Sequence, residues 1–243
     1  MAKLIWHRIK KLLSVLISKN LTLGIAHSII ATTEHLPVLK SLNSINTFID
    51  IGANKGQFAL AARHAYSKAK IISFEPLSSP AAKFIKFFQH DTNILLHQNA
   101  IGPQKDTVEM HVSNREDSSS LLNIGENQSS IFPSTKEKST EEINVAPLSH
   151  FLTKEDLIKP VLVKIDVQGF ELEVLKGSVD LLEYFDYIYV ECSFIELYEK
   201  QALADEVITF LNNYSFKLKG VYNMFYDKKG IAIQADFLFS KGV

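Results

Sequence analysis

The chain has 243 residues, 46% hydrophobic and 22% charged, with a formal net charge of −1. That length and balance fit one sizeable globular core and exclude a disordered or fibrous chain, and the near-neutral total offers no global field to a nucleic-acid backbone. The single cysteine, Cys192, excludes an intrachain disulfide and a multi-cysteine metal site, and it fits a reducing, cytoplasmic setting.

Residues 1–45 read as an N-terminal helical extension. Ile5, Ile9, Leu12 and Leu16 repeat at helical spacing, with Arg8, Lys11 and Lys19 off that stripe. The charges interrupt each apolar run before it is long enough to span a bilayer. Two readings stand for residues 1–30: a helix that caps the domain or a dimer face, and a basic amphipathic helix resting on an anionic membrane.

Residues 46–243 carry the domain. "NTFIDI" is a buried strand, "GQFALAARHAYS" the helix after it and "KIISF" a second strand. "SPAAKFIKFFQ" is a second helix with Ser79 as N-cap and Pro80 at its first position, and "NILLH" is a third strand. This β-α-β-α-β run predicts an α/β domain, a parallel sheet with helices on both faces. Between about 103 and 147 the pattern changes. There "DTVEMHVS" and "EEINVAP" read as an inserted hairpin around a long Ser-, Asn- and charge-rich segment, expected to act as a substrate-side flap. The winding then resumes with the strand "PVLVKIDV", the helix "GFELEVLKG" ended by Gly177, and a helical turn at "LLEYF". The strand "DYIYVEC", the helix "DEVITFLNNY" and a hairpin of "FKLKGVY" and "IQADFLFS" complete the chain.

Ligands of such sheets sit beyond the carboxyl ends of the strands. Asp50, Gly52, Asn54 and Gly56 fall there after the first strand. Glu75 falls there after the second, where a carboxylate can accept both hydroxyls of a ribose. The loop is not a dinucleotide fingerprint: Asn54 stands at the middle glycine of G-x-G-x-x-G, the third glycine is missing, and the chain has no GxxxxGK[ST]. An acid before the turn would repel a pyrophosphate but suits an ammonium with a sulfonium nearby. That description is met by S-adenosylmethionine (SAM). Gly52 and Gly56 would permit close backbone approach, and Asn54 tolerates a left-handed turn. A second polar constellation, Lys164, Asp166 and Gln168, ends an apolar strand, followed by Gly169 and by Glu171 in a first helical turn. Such groups are costly to bury without partners, although the helix dipole accounts for Glu171 as well as catalysis does.

"FIDIGANKGQFA", "IISFEP", "HQNAIG", "SSSLL", "VLVKIDVQGFELEVLKGS" and "YIYVEC" occur in this order, and together they resemble the FkbM family of SAM-dependent methyltransferases from Asn46 to Ser240. The resemblance implies a class I methyltransferase (Rossmann-like) fold, with a seven-stranded, mostly parallel sheet and an antiparallel last strand. It implies O-methylation of a hydroxyl on a sugar, polysaccharide, glycolipid or natural product. It also implies that Asp50, Gly52, Ala53, Asn54 and Gly56 line the methionine end of SAM and that Glu75 holds the ribose. Pro76 and Leu77 would flank the adenine, Asn99 and Ala100 would meet it, and Asp166 would stand close to the presented methyl group. Gln168 occupies a position where the family's motif often has Glu, and a neutral amide is no proton acceptor.

A hydroxyl acceptor calls for a base. Asp166, Glu191, Glu171 and His111 are the candidates, with Asp166 and Glu191 first because neighbouring strand ends should face the pocket. A Mg²⁺ on Asp166 and Glu191 is the thinner alternative, so no metal site is assigned. An NAD(P)-dependent oxidoreductase would use the same Glu75 contact, but the third glycine and a Tyr-x-x-x-Lys pair are missing. A non-catalytic scaffold docked on a membrane or partner is disfavoured by the intact Asp50, Glu75 and Asp166. The expected acceptor is a small molecule or glycan and not nucleic acid, since no NPPY-like turn follows the fourth strand.

Overall fold

The computed structural model describes residues 21, 24 and 27–242. The stripe of Ile5, Ile9, Leu12 and Leu16, with the membrane or dimer contact read onto it, lies outside them. Among the described residues no helix is long and apolar enough to cross a membrane.

A short helix α1 (Leu36–Ser41) leads into β1 (Thr47–Ile51), α2 (Gln57–Ala65), β2 (Lys70–Phe74), α3 (Ser78–Phe88) and β3 (Ile94–His97). The insert follows as β4 (Ala100–Ile101), β5 (Asp106–Ser113), α4 (Glu126–Ile131) and β6 (Glu137–Ala146). β7 (Val161–Ile165), α5 (Glu171–Lys176), β8 (Tyr187–Ser193), α6 (Ala204–Asn213), β9 (Phe216–Tyr226) and β10 (Ala232–Lys241) complete the chain.

Seven strands form one sheet in the order β3-β2-β1-β7-β8-β10-β9. β1 pairs in parallel with β2 and β7, while β10 runs antiparallel to both β8 and β9. β1 and β7 are buried at every residue, which is why they read as unbroken apolar runs. Alternation along the strands divides the core. Phe48, Leu162, Tyr189 and Leu238 pack with the apolar faces of α1, α2 and α3. Ile49, Val163, Ile188 and Phe237 pack with those of α5 and α6. The strand order reverses between β1 and β7, so their carboxyl ends form the crevice where such folds bind ligands.

In the insert, β6 pairs in parallel with β4 and antiparallel with β5. The hairpin is as expected. β4 is an addition, too short at two residues for any periodicity to reveal. The segment between β5 and β6 is docked on the rest of the domain: Ser120 Oγ donates to the Gln168 carbonyl at 2.6 Å and Gly125 N to the Leu197 carbonyl at 3.0 Å.

One local expectation is corrected. Ser79 is not the N-cap of α3, which begins at Ser78 with Leu77 at the cap position. Carboxylates from outside the helix meet its first amides instead: Leu77 N donates to Glu75 Oε1 (2.9 Å) and Ser78 N to Glu141 Oε1 (3.0 Å). The turn containing "LLEYF" is a 3-10 helix, Val179–Tyr184.

Candidate active site

Residues two apart on a strand share a face, and register carries that face across the sheet. Asp50 is paired with Lys164, and Lys164 with Tyr189. Two residues farther along stand Asp166, just past the end of β7, and Glu191 of β8, the latter paired with Asp236 of β10. Two polar rows therefore lie side by side at the end of an otherwise apolar layer.

The deeper row is built on Lys164. Its ammonium lies 3.2 Å from Asp166 Oδ2 and 3.6 Å from Asp50 Oδ1, and it donates to the Gly52 carbonyl at 3.4 Å. Burial works against its charge, but the two carboxylates outweigh that and hold it above the ordinary lysine range. Asp50 is fully buried, and desolvation, partly offset by Lys164, raises it to about 6. The acid that sequence reasoning turned toward a cofactor ammonium thus faces the chain's own ammonium and does not line the cleft.

The glycines also serve the chain itself. A Cβ on Gly52 would sit 1.8 Å from the Asp166 carbonyl oxygen, and one on Gly56 would sit 2.5 Å from the Phe88 ring. Both have positive φ, as does Asn54 at 47°, the left-handed turn the sequence anticipated. Gly52, Ala53 and Asn54 line the cleft, whereas Gly56 lies beneath Phe84 and Phe88.

The cleft encloses about 370 Å³. Glu75, Pro76, Leu77, Asn99 and Ala100 line it together with Asp166, Gln168 and Glu191, and Arg115–Ser119, Gln128 and Phe132 line it from the insert. Glu75 accepts from Asn54 N (2.8 Å) and Leu77 N (2.9 Å), one bond to each oxygen, which leaves each oxygen a further lone pair. Burial pushes this carboxyl up to about 7, against the two amides.

Gln168, at φ 57°, joins the two first-choice acids. Its Nε2 donates to Asp166 Oδ1 (2.8 Å) and Glu191 Oε2 (2.9 Å), while its Oε1 accepts from the Tyr198 hydroxyl (2.8 Å). Glu191 Oε1 accepts from Gln234 at 2.8 Å. The two acids differ in state. Burial opposes the charge of Asp166, but Lys164 and Gln168 overcome it and hold Asp166 below the usual carboxylate range. Burial and the neighbouring charges of Asp166 and Asp236 push Glu191 well above it.

Glu171 and His111 are not brought to the cleft. Glu171 is buried, and its Oε1 accepts from Val167 N (3.2 Å) and Gly169 N (3.0 Å), which fixes the turn after β7. His111 Nδ1 lies 2.8 Å from Glu137 Oε2 on the insert.

Sequence reasoning missed His35, Tyr189, Asn223 and Asp236. Tyr189 donates to Asp236 Oδ2 at 3.0 Å, Asn223 donates to the same oxygen at 2.7 Å, and His35 Nδ1 lies 3.0 Å from the Tyr189 oxygen. His35, Asn223 and Asp236 line the cleft. The charge of Asp236 inside the apolar run "IQADFLFS" was a readable signal. His35, in a segment assigned to the extension, carried none.

The order of strands and the single antiparallel member define a Rossmann-like methyltransferase sheet. The chain belongs to the FkbM methyltransferase family: the Methyltransferase FkbM domain matches residues 50–218. It is 26% identical over 172 residues to the 2-O-methyltransferase NoeI of Sinorhizobium fredii (strain NBRC 101917 / NGR234), covering 68% of this chain and 71% of that protein. It is also 26% identical over 152 residues to Methyltransferase 1 of Beauveria bassiana (strain ARSEF 2860), covering 58% of this chain and 60% of that protein's length. Among solved structures, precorrin-6y C5,15-methyltransferase from Geobacter metallireducens GS-15 aligns with a TM-score of 0.49 at 11% identity, covering 88% of this chain and 90% of the other.

Proposed function

We propose that the protein uses SAM to O-methylate a hydroxyl of a polar, sugar-like acceptor. The observation that carries this reading is one cleft lined both by a buried acid with lone pairs to spare, Glu75, and by an amide-bridged pair of acids, Asp166 and Glu191. The residues fit the cofactor. Glu75 would take the ribose hydroxyls, with Pro76, Leu77, Asn99 and Ala100 beside the base. With Asp50 turned to Lys164, the methionine ammonium would fall to other acceptors in the cleft wall. Thr32 Oγ1 and Gln57 Oε1 are buried there and have no hydrogen-bond partner among the described residues. Bound SAM supplies a methyl carbon already activated by its sulfonium.

The chain's own part is to position and polarise. Asp166 stays ionised and presents a negative charge where an acceptor hydroxyl and a cationic centre would meet. Glu191, whose burial and acidic neighbours favour its neutral form, is tied by amides on both oxygens. Gln234 and Asn223 add amides to the lining, and Gln128 Oε1, in the part of the wall that the insert contributes, is a buried acceptor without a partner among the described residues. Such a wall suits a polyol better than a polyketide or lipid chain. The similarity to NoeI, a 2-O-methyltransferase, supports oxygen as the acceptor atom.

Thermal shift tests the cofactor. S-adenosylhomocysteine (SAH) at a hundred times its Kd should stabilise the chain by about 2.7 kcal/mol. NADH should leave the melting temperature unchanged. Stabilisation by NADH and not by SAH would overturn the reading.

A further inference from the structure

Both first-choice acids are engaged by other groups of the chain. Asp166 is paired with Lys164 and bonded by Gln168, which hold it below the usual carboxylate range, and both oxygens of Glu191 already accept amide hydrogens, from Gln168 and Gln234. The cleft nevertheless holds a group suited to the task. We infer that His35 is the general base, its tautomer set by a relay through Tyr189 to Asp236. The inference rests on the methyl-transfer reading above. It also lies outside the family's matched stretch, since residues 50–218 contain neither His35 nor Asp236.

The relay follows from the count of hydrogens. Tyr189 has one hydroxyl hydrogen, and it is given to Asp236 Oδ2 at 3.0 Å. Asn223 donates to that same carboxylate oxygen at 2.7 Å. The Tyr189 oxygen is therefore an acceptor toward His35 Nδ1, 3.0 Å away, and Asp236 Oδ2 also faces that nitrogen at 3.5 Å. Asn223 Nδ2 lies 3.3 Å from both the Tyr189 oxygen and Nδ1; with its second hydrogen on the Tyr189 oxygen, two acceptors face Nδ1, which favours the Nδ1–H form and leaves the lone pair on Nε2. The ring is wedged edge-on between Phe58 and Tyr189, which fixes its plane. The His35 side chain keeps 12% exposure, and it lines the cleft that Asp166, Gln168 and Glu191 also line.

Burial lowers His35 from the ordinary histidine range, with Asp236 working the other way, so the free imidazole prevails near pH 7. The charged groups acting on it are Asp236 from β10, Lys164 from β7, Asp166 just after that strand, and Glu34 beside it in the chain. Tyr189, Asn223 and Phe58 are its uncharged neighbours. In the step itself the acceptor hydroxyl gives its proton to Nε2 while its oxygen pair bonds the methyl carbon of the sulfonium donor. The breaking C–S pair remains on sulfur, and Nε2 returns the proton to water after release.

The test has a spectroscopic arm and a kinetic arm. ¹⁵N NMR of the histidine rings in the full chain, with His35→Gln used for assignment, should show His35 protonated at Nδ1 and bare at Nε2 at pH 7. With methyl glycosides as the acceptor probe, His35→Gln should lose at least 100-fold in turnover while binding SAH within threefold of wild type by calorimetry. Asp236→Asn preserves the packing and removes the charge that raises His35, so the acid limb of kcat/KM should move to lower pH. An Nε2–H ring at pH 7, or His35→Gln turnover within threefold of wild type, would overturn the assignment. Wild-type protein that fails to bind SAH would instead overturn the reading beneath it, and the assignment with it.

Discussion

Gln168 Nε2 lies 2.8 Å from Asp166 Oδ1. Its second hydrogen goes to Glu191, so one neutral amide satisfies two acids that would otherwise face each other unshielded. A carboxylate in its place has no hydrogen to give until it takes up a proton. Gln168→Glu should therefore destabilise the chain at pH 8 by about 3 kcal/mol, the lower end for breaking a buried charged network. That corresponds to a fall of about 10 °C in melting temperature for a chain of this size. The gap should narrow at pH 6, where the new carboxyl is protonated. Melting curves at the two pH values decide it, and equal deficits at both would contradict the bridge.

Asp166 is read as a charge that orients the acceptor and not as a cofactor contact. Asp166→Asn should reduce turnover at least 100-fold and leave SAH affinity within tenfold, measured by calorimetry beside steady-state kinetics. Loss of SAH binding on the same scale as turnover would reassign the residue to the cofactor.

Glu75 is read as the ribose acceptor, and Glu75→Gln turns an N–H₂ group toward one of its two backbone donors. Losing charge-assisted hydrogen bonds of about 2 kcal/mol predicts SAH affinity weaker by about 30-fold. Because burial holds Glu75 at about 7, wild-type affinity should strengthen as pH rises through that value and the carboxylate forms. A flat pH profile between 6 and 8 would count against the assignment.

Glu171 gives a stability prediction of unusual sign. Burial raises it from 4.5 to about 7, against the amides of Gly169 and Val167, so the folded state binds its proton more tightly than the unfolded chain does. Its contribution is complete below about 4.5 and is lost as pH rises through about 7, at up to ~1.4 kcal/mol per pH unit within that window. Glu171→Gln keeps an acceptor for both amides and removes the ionisation. The variant should match wild type at pH 5 and exceed it at pH 8 in urea unfolding. An equal difference at both pH values would show that the carboxyl is not buried as described.

The sheet was legible because its signals are local. "TFIDI" and "VLVKI" are runs too apolar for anything but a doubly covered strand, and "GANKG" combines residues that suit left-handed turns. The inserted hairpin was legible from the same alternation. The start of α3 was not, because its first amides are met by Glu75 and by Glu141, 63 residues from Ser78.

At the site, local reading pointed to Glu75, Asp166 and Glu191, which line one cleft, because charge at the end of an apolar strand is conspicuous. It could not show that Asp50 faces Lys164, since only the pairing of β1 with β7 brings that ammonium beside it. Glu171 sits in a first helical turn whether it serves chemistry or the backbone, and its contacts decide for the backbone.

The amino-acid order thus determined which strands and helices form and which strand ends carry charge, because period and burial cost act within a few residues. Partnership was decided by the tertiary structure alone. Lys164 with Asp50, Gln168 between Asp166 and Glu191, and His35 with Tyr189 and Asp236 are contacts across strands and segments. Their energies depend on distance in space and on exclusion of water, and separation along the chain carries neither.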